Sequence, residues 1–284
     1  MGRNNTPLVS VIIPAFGAKR TLARTVLSLK AQTYSNWQAI VVSDDRCDYR
    51  KVLNRAGIED SRCIFASTGS VASGPSCARN IGLKLANGTL VAPLDADDVF
   101  LPQRFATLVP LALKHGAATD NVRVVDDFSG EIISSAFRIG DGVWHLDATH
   151  FLAISVPLMP VVRVEIAGRW EEGLKFAEDI IFNVKIFDHI PSIATVRTPL
   201  RDYRVRQGSL AHSEDSAVLA DTSYRYLLEC LQNNQLGIKR ASVRRRLFAA
   251  IIKKSRINEE FKTAYRRGMC DNFQAFIAGR ASAT

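Results

Sequence analysis

The sequence predicts an α/β protein with a Rossmann-like, mostly parallel sheet flanked by helices. Three observations predict it. Over the first hundred of the 284 residues, short β-branched apolar runs alternate with segments of helical periodicity. The runs are almost continuously apolar, as strands covered on both faces are. Acidic and turn-forming residues gather where these runs end, which in such sheets is where ligands bind.

Leu8–Pro14 (LVSVIIP) reads as the first strand, stopped by proline. Leu22, Val26 and Leu29 then recur at i, i+4, i+7 with Lys19, Arg20 and Arg24 turned elsewhere, the pattern of an amphipathic helix. After QTYSN, Trp37–Val42 (WQAIVV) is a second buried strand, ending at Ser43, Asp44 and Asp45. Pro75–Ala86 reads as a helix closed by Asn87-Gly88. Thr89–Leu94 is a further strand running into Asp95-Ala96-Asp97-Asp98. Beyond Pro102 we expect a helix to His115, strand character at Val122–Val125, turns around 126–130 and 140–142, and an irregular, proline-broken stretch over Phe151–Val164. From Ala217 onward the sequence reads as helical, with a break near Asn233–Gly237.

Composition bounds the function classes. With 47% apolar and 23% charged residues the chain can bury a large core, which excludes global disorder. No 20–50-residue repeat is visible. The longest apolar stretch, Phe151–Val162, is interrupted by Pro157 and Pro160 and falls short of the roughly 20 residues a membrane span needs. The N-terminus lacks an apolar core followed by a small-residue cleavage site, so a cytoplasmic location is expected. Five scattered cysteines (47, 63, 77, 230, 270) without a CxxC pair read as free thiols. The net charge of +9 sits in residues 231–284, which carry twelve Lys and Arg against three Asp and Glu, so the first 230 residues are neutral.

Several residues could carry chemistry. Asp95, Asp97 and Asp98 place three carboxylates within four positions; like charges so close call for a positive partner, and a divalent cation on a diphosphate is one, although an acidic turn would look the same in isolation. Asp44 and Asp45 form a second acidic pair, explicable as turn chemistry or as a carboxylate that accepts from a nucleobase N–H or a ribose hydroxyl. SGPSCARN (73–80) puts small residues before a helix whose first turns carry Arg79 and Asn80, a weak anion-binding signal with neither a Walker A nor a GxGxxG pattern. Glu178 and Asp179 open a helix marked by Ile180, Val184 and Phe187. Acids there complement the helix dipole, and one of them could equally be a general base. RDYRVRQGSLAHS (201–213) reads as a loop carrying Arg204, Arg206, Ser209 and His212, either solvated or closing over a donor.

Taken in order, VSVIIPAF (9–16), VVSDD (41–45), GPSCARNIGLKLANGTLVAPLDADD (74–98) and WEEGLKFAEDIIF (170–182) resemble the family 2 glycosyltransferases, inverting enzymes of the GT-A fold. The resemblance spans about residues 8–213. It implies a nucleotide-sugar half over 1–100, an acceptor-side half over 101–213 and a basic helical extension over 214–284. It further implies that Pro14, Ala15, Phe16 and Asp44 hold the base, Asp95 the ribose, and Asp97 a Mg²⁺ or Mn²⁺ ion on the donor diphosphate. Arg79 would lie by the nucleotide, Asp179 would be the catalytic base with Glu178 beside it, and His212 would reach the metal or the leaving phosphate. UDP is the expected nucleotide, and a glycan or lipid-linked molecule the acceptor. Two departures stand out: Asp44-Asp45-Arg46-Cys47 replaces the usual DDGS, and the QxxRW motif of processive synthases is missing, which points to the addition of one or a few sugars.

Ser242–Arg256 places Val243, Leu247, Phe248, Ile251 and Ile252 on one helical face, with Arg244, Arg245, Lys253 and Lys254 to the sides. Docking of the apolar face on the body is the plainer expectation; contact with anionic lipid, bringing the protein to the inner face of a membrane, is the other. Nucleic-acid binding is not expected, because aromatic residues are not interleaved with the tail's charges. A sugar nucleotidyltransferase would carry a glycine-rich, lysine-containing signature, which GAKRT (17–21) matches poorly. A catalytically inactive binding relative would share the fold, but the acids at 95, 97 and 179 are intact.

Overall fold

A computed structural model describes residues 6–206 and 214–282. Its first half is the parallel sheet the apolar runs predict: β1 (Val9–Ala15), β2 (Trp37–Ser43), β3 (Cys63–Ser67) and β4 (Leu90–Pro93) lie in the order β3-β2-β1-β4. Val9 faces Trp37 and Ile13 faces Val41 across the β1–β2 pair. Alternation along β1 divides the core between the two faces. Val9, Val11 and Ile13 pack with α1 (Leu22–Lys30), α2 (Tyr49–Arg55) and, farther along, α4 (Arg104–His115). Ile12 points the other way, toward α3 (Pro75–Lys84), where Gly82 permits close approach: a Cβ there would stand 2.5 Å from Ile12 Cγ2.

The second half is mixed. β5 (Val99–Phe100), β6 (Ala117–Asp126), β9 (Val161–Arg163) and β10 (Ser192–Val205) extend the sheet as β4-β9-β6-β10-β5, with β7 (Ile132–Ser135) on β6 and β8 (Val143–Asp147) on β10. β6 and β10 run parallel, while β9 is antiparallel to both β4 and β6. Register shifts flank Pro199 in β10, where proline has no N–H to give the ladder. The expected loop over 201–213 is corrected in its first part: residues 201–205 complete β10, where Asp202 accepts from Arg123 of β6 at 2.6 Å and Arg204 donates to Asp127, just past the end of β6, at 2.6 Å.

α5 (Ala148–Ala153), α6 (Glu178–Ile186), α7 (Glu214–Gln232), α8 (Ala241–Arg266) and α9 (Phe273–Ser282) complete the chain. Leu227 of α7 and Leu247 and Ile251 of α8 share one core with Ile181 and Val184 of α6, so the basic segment docks its apolar face on the body. Ile252 departs from expectation: one helical step of about 100° beyond buried Ile251 turns it outward, 42% exposed. Among the described residues no helix is long and apolar enough to cross a membrane.

Candidate active site

The carboxyl ends of β1, β2 and β4 converge on one edge of the sheet. Pro14 is half-buried and Ala15 buried, and Phe16 stands 56% exposed just beyond β1. Gly17 then takes a left-handed conformation (φ +62°), and its N–H donates to Asp45 Oδ2 at 2.8 Å. Asp45 also accepts from Tyr49 Oη (2.8 Å) and from the N–H of Cys47 (3.0 Å). Burial alone would raise its pKa, but these donors outweigh it and hold the carboxyl below the usual range.

Asp44 is buried, and its oxygens accept from Thr68 Oγ1 (2.8 Å), Ser73 N–H (3.0 Å) and Gly74 N–H (2.8 Å). The carboxylate expected at the nucleobase thus clamps the segment that leads into α3, and only its remaining lone pairs are open to a ligand. Gly74 (φ +96°) and Pro75 at the first helical position start α3 there.

The Arg79 guanidinium, expected near the nucleotide, is buried between two other predicted site residues, with Nη2 2.7 Å from Asp95 Oδ1 and Nη1 3.0 Å from Glu178 Oε1. One side chain therefore ties the end of β4 to the start of α6. Neighbouring Asn80 reinforces the link, donating to Trp170 O (3.0 Å) and Glu172 Oε1 (2.7 Å) and accepting from Trp170 N–H (2.9 Å). Trp170 stacks on Phe182 of α6 with ring centroids 4.0 Å apart.

The three acids after β4 have separate surroundings. Asp95 meets Arg79. Asp97 is partly exposed, 3.3 Å from Arg206, and burial together with the charge of Asp95 pushes its pKa up to about 6. Asp98 is fully buried, accepts from Arg204 N–H at 3.0 Å, and leaves Oδ2 without a hydrogen bond, 3.8 Å from Arg201. Burial raises its pKa well above the ordinary carboxylate range, Arg201 opposing. Asp98 is thus an internal anchor for β10, and Asp95 and Asp97, both partly exposed, are the acids that a ligand could reach. Two adjacent carboxylates, one of them inclined to take up a proton, fit a divalent cation that would relieve their repulsion. No group of three or more metal-ligating side chains assembles among the described residues, and His212 and Ser209 lie outside them. A magnesium-like ion often takes only one or two carboxylates, the rest coming from phosphate and water.

Asp179, in the first turn of α6, is half-buried. Burial and the adjacent Glu178 push its pKa up to about 6, against the pull of Arg79 and Lys254. Lys254 and Tyr224 belong to the helical extension, and sequence reasoning missed both as residues near the site. For Lys254 a signal existed, since it lies three residues after Ile251 on the docked side of α8. The arrangement brings the Glu178–Asp179 end of α6 to the acids that follow β4, with the Arg79 guanidinium between Asp95 and Glu178.

The model of glycosyl transferase family 2 matches residues 10–200, the span that carries Asp44, Arg79, Asp95, Asp97, Glu178 and Asp179. The chain belongs to that family. Among curated Escherichia coli relatives, a UDP-Glc:alpha-D-GlcNAc-diphosphoundecaprenol beta-1,3-glucosyltransferase, WfgD, is 37% identical over 110 residues, 38% of this chain and 42% of its own length. WfaP, an enzyme of the same description, is 36% identical over 103 residues, 36% of this chain and 40% of its own. These matches span less than half of either relative. Among solved structures, S. aureus TarS 1-349 superposes with a TM-score of 0.61 at 17% identity, over 86% of this chain and 70% of that one. Its complex with UDP-GlcNAc superposes with a TM-score of 0.60 at 18% identity, over 78% and 66%. At these identities the likeness establishes the GT-A fold.

Proposed function

We propose that the protein is an inverting glycosyltransferase that moves a sugar from a UDP-sugar to a hydroxyl of a glycan carried on a lipid diphosphate, with Asp179 as general base. The observation that carries the proposal is the Asp95–Arg79–Glu178 bridge, which sets the donor-side acids and the α6 carboxylates into one site. WfgD and WfaP supply the substrate class, since both are described as using UDP-Glc and a diphosphoundecaprenol-linked GlcNAc.

The chemistry asks for a base on one side of the reacting carbon and positive charge on the other. Asp179 takes the proton of the acceptor hydroxyl as that oxygen bonds to C1 of the donor sugar. The C1–O bond to UDP breaks on the opposite face, and the configuration inverts. Phe16 offers a face for the base, Asp95 accepts from the ribose, and Arg79 keeps Asp95 and Glu178 in place. Asp97 would hold Mg²⁺ or Mn²⁺, with His212 as a further candidate ligand; when bound, that ion supplies the charge that stabilises the departing diphosphate.

The exposed side of α8 carries Arg245, Arg246, Lys253 and Arg256 together with Ile252, which suits peripheral contact with anionic lipid at the inner face of a membrane. Titrating UDP, GDP and TDP into the protein by calorimetry, with Mn²⁺ and again with EDTA, tests the donor side. Metal-dependent binding of UDP that Asp97→Ala loses supports the reading; binding of none of the three overturns it in favour of an inactive relative.

A further inference from the structure

Residues 154–160, the irregular connection between α5 and β9, carry two prolines, Pro157 and Pro160, that have no N–H to give a ladder. Leu158, Met159 and Pro160 are nevertheless buried, so the carbonyls here need partners in the interior. Three consecutive carbonyls are each taken by a buried side chain from a different element. Arg201 Nη2 of β10 donates to Pro157 O, Asn183 Nδ2 of α6 to Leu158 O at 2.9 Å, and Arg104 Nη2 of α4 to Met159 O at 2.5 Å.

Two of these side chains also reach the acid motifs. Arg201 is fully buried, with Nη1 3.8 Å from Asp98 Oδ2, and Asp98 directly follows Asp97. Asn183, 1% exposed, donates from the same Nδ2 to Asp179 O at 2.9 Å, one turn back along α6. A strap of backbone at 157–158 thus joins the acids after β4 to the first turn of α6, through Arg201 on one side and Asn183 on the other. None of these contacts involves Arg79.

Stability alone is a poor account of Arg201. At 3.8 Å, Asp98 Oδ2 and Arg201 Nη1 have no hydrogen bond among the described residues, and apolar side chains often replace a buried pair without loss of stability. A pair so placed fixes register instead. Inverting transfer needs the base and the departing diphosphate in line across one carbon, and a misplacement of about 1 Å can cost about 10²-fold.

We infer that Arg201 and Asn183 are positioning residues that fix, through the strap at 157–158, the spacing between the acids after β4 and Asp179. This rests on the roles proposed above for Asp97 and Asp179.

The test is a double-variant cycle on the full chain, with Arg201→Met, Asn183→Leu, the two combined, and Arg201→Lys. Hydrogen exchange followed by mass spectrometry reads the coupling without substrate: Arg201→Met should speed exchange in the first turns of α6, and Asn183→Leu should speed it at 201–205. With UDP-glucose, Mn²⁺ and an alkyl GlcNAc diphosphate, each single variant should lose about tenfold to a hundredfold in kcat, while KM for UDP-glucose stays within about threefold. The combined variant should lose no more than the worse single one, because both act through one strap, and Arg201→Lys, which keeps a donor, should recover part of the rate. Losses that multiply, an unchanged kcat, or exchange changes confined to the altered element overturn the inference. If Arg201→Met does not fold, Asn183→Leu decides alone, by exchange at 201–205 and by kcat. Absence of turnover by wild type would count against the proposed function, and the exchange measurement would still decide the strap.

Discussion

Replacing Arg79 by methionine should damage stability and chemistry together, by an amount that the geometry bounds. The guanidinium is 4% exposed and makes charge-assisted hydrogen bonds of 2.7 Å to Asp95 and 3.0 Å to Glu178, whose side chains are 26% and 14% exposed. Methionine fills most of the volume but leaves two shielded carboxylates without a counterion. Breaking a buried pair from one side costs about 3–5 kcal/mol, and at about 2–4 °C per kcal/mol for a chain of this size the melting temperature should fall by roughly 6–20 °C. Thermal unfolding followed by circular dichroism reads the shift. Adding Glu178→Gln to Arg79→Met should restore part of the loss, because it removes one uncompensated charge. A melting temperature within about 2 °C of wild type, below the shift of even 1 kcal/mol, or no recovery in the double variant, would refute the idea that this triad joins the two motifs.

Three other predictions follow from the same geometry. With the pKa of Asp179 pushed up to about 6, the carboxyl is protonated and unable to accept a proton at lower pH, so kcat/KM should drop about tenfold per unit below that value and level off above it, as a pH–rate profile will read. Asp97→Ala should abolish metal-dependent nucleotide binding while the melting temperature in EDTA holds or rises, because the variant removes a carboxylate that burial and Asp95 already disfavour as a charge. Gly88→Ala should destabilise by about 1–3 kcal/mol in urea unfolding, since a Cβ there would lie 2.4 Å from Leu8 O and force β1 and β4 apart.

Much of the parallel half was legible because its elements obey one period each. β1, β2 and β4 are continuous apolar runs, and α1 and α3 carry clear helical spacing or stop signals. β3 was missed because it is a short edge strand, CIFAS, mostly half-buried and without an alternating face. The end of β10 was misread as loop because RDYRV is polar; Asp202 and Arg204 pair with Arg123 and Asp127, and the Arg204 backbone N–H donates to Asp98, residues 77 to 106 positions away. The same limit applies to the site. Acids at strand ends and at the start of α6 can be read from the sequence, but not which arginine serves which acid: Arg79 and Glu178 lie 99 positions apart. Asp44 illustrates the reverse, a motif residue whose visible partners are the Thr68 hydroxyl and backbone N–H groups of the next loop.

The central claim is that Asp179 is the base of a sugar transfer, and Asp179→Asn tests it most directly. The change keeps shape and size while removing the proton acceptor. With UDP-glucose, Mn²⁺ and an alkyl GlcNAc diphosphate as substrates, the product's anomeric configuration is read by NMR and the rate by UDP release. The account predicts a β-linked product from the α-linked donor, a kcat reduced by about 10²–10⁴ in the variant, and unchanged UDP binding. Transfer at near wild-type rate by a folded Asp179→Asn protein, or an α-linked product, would contradict it.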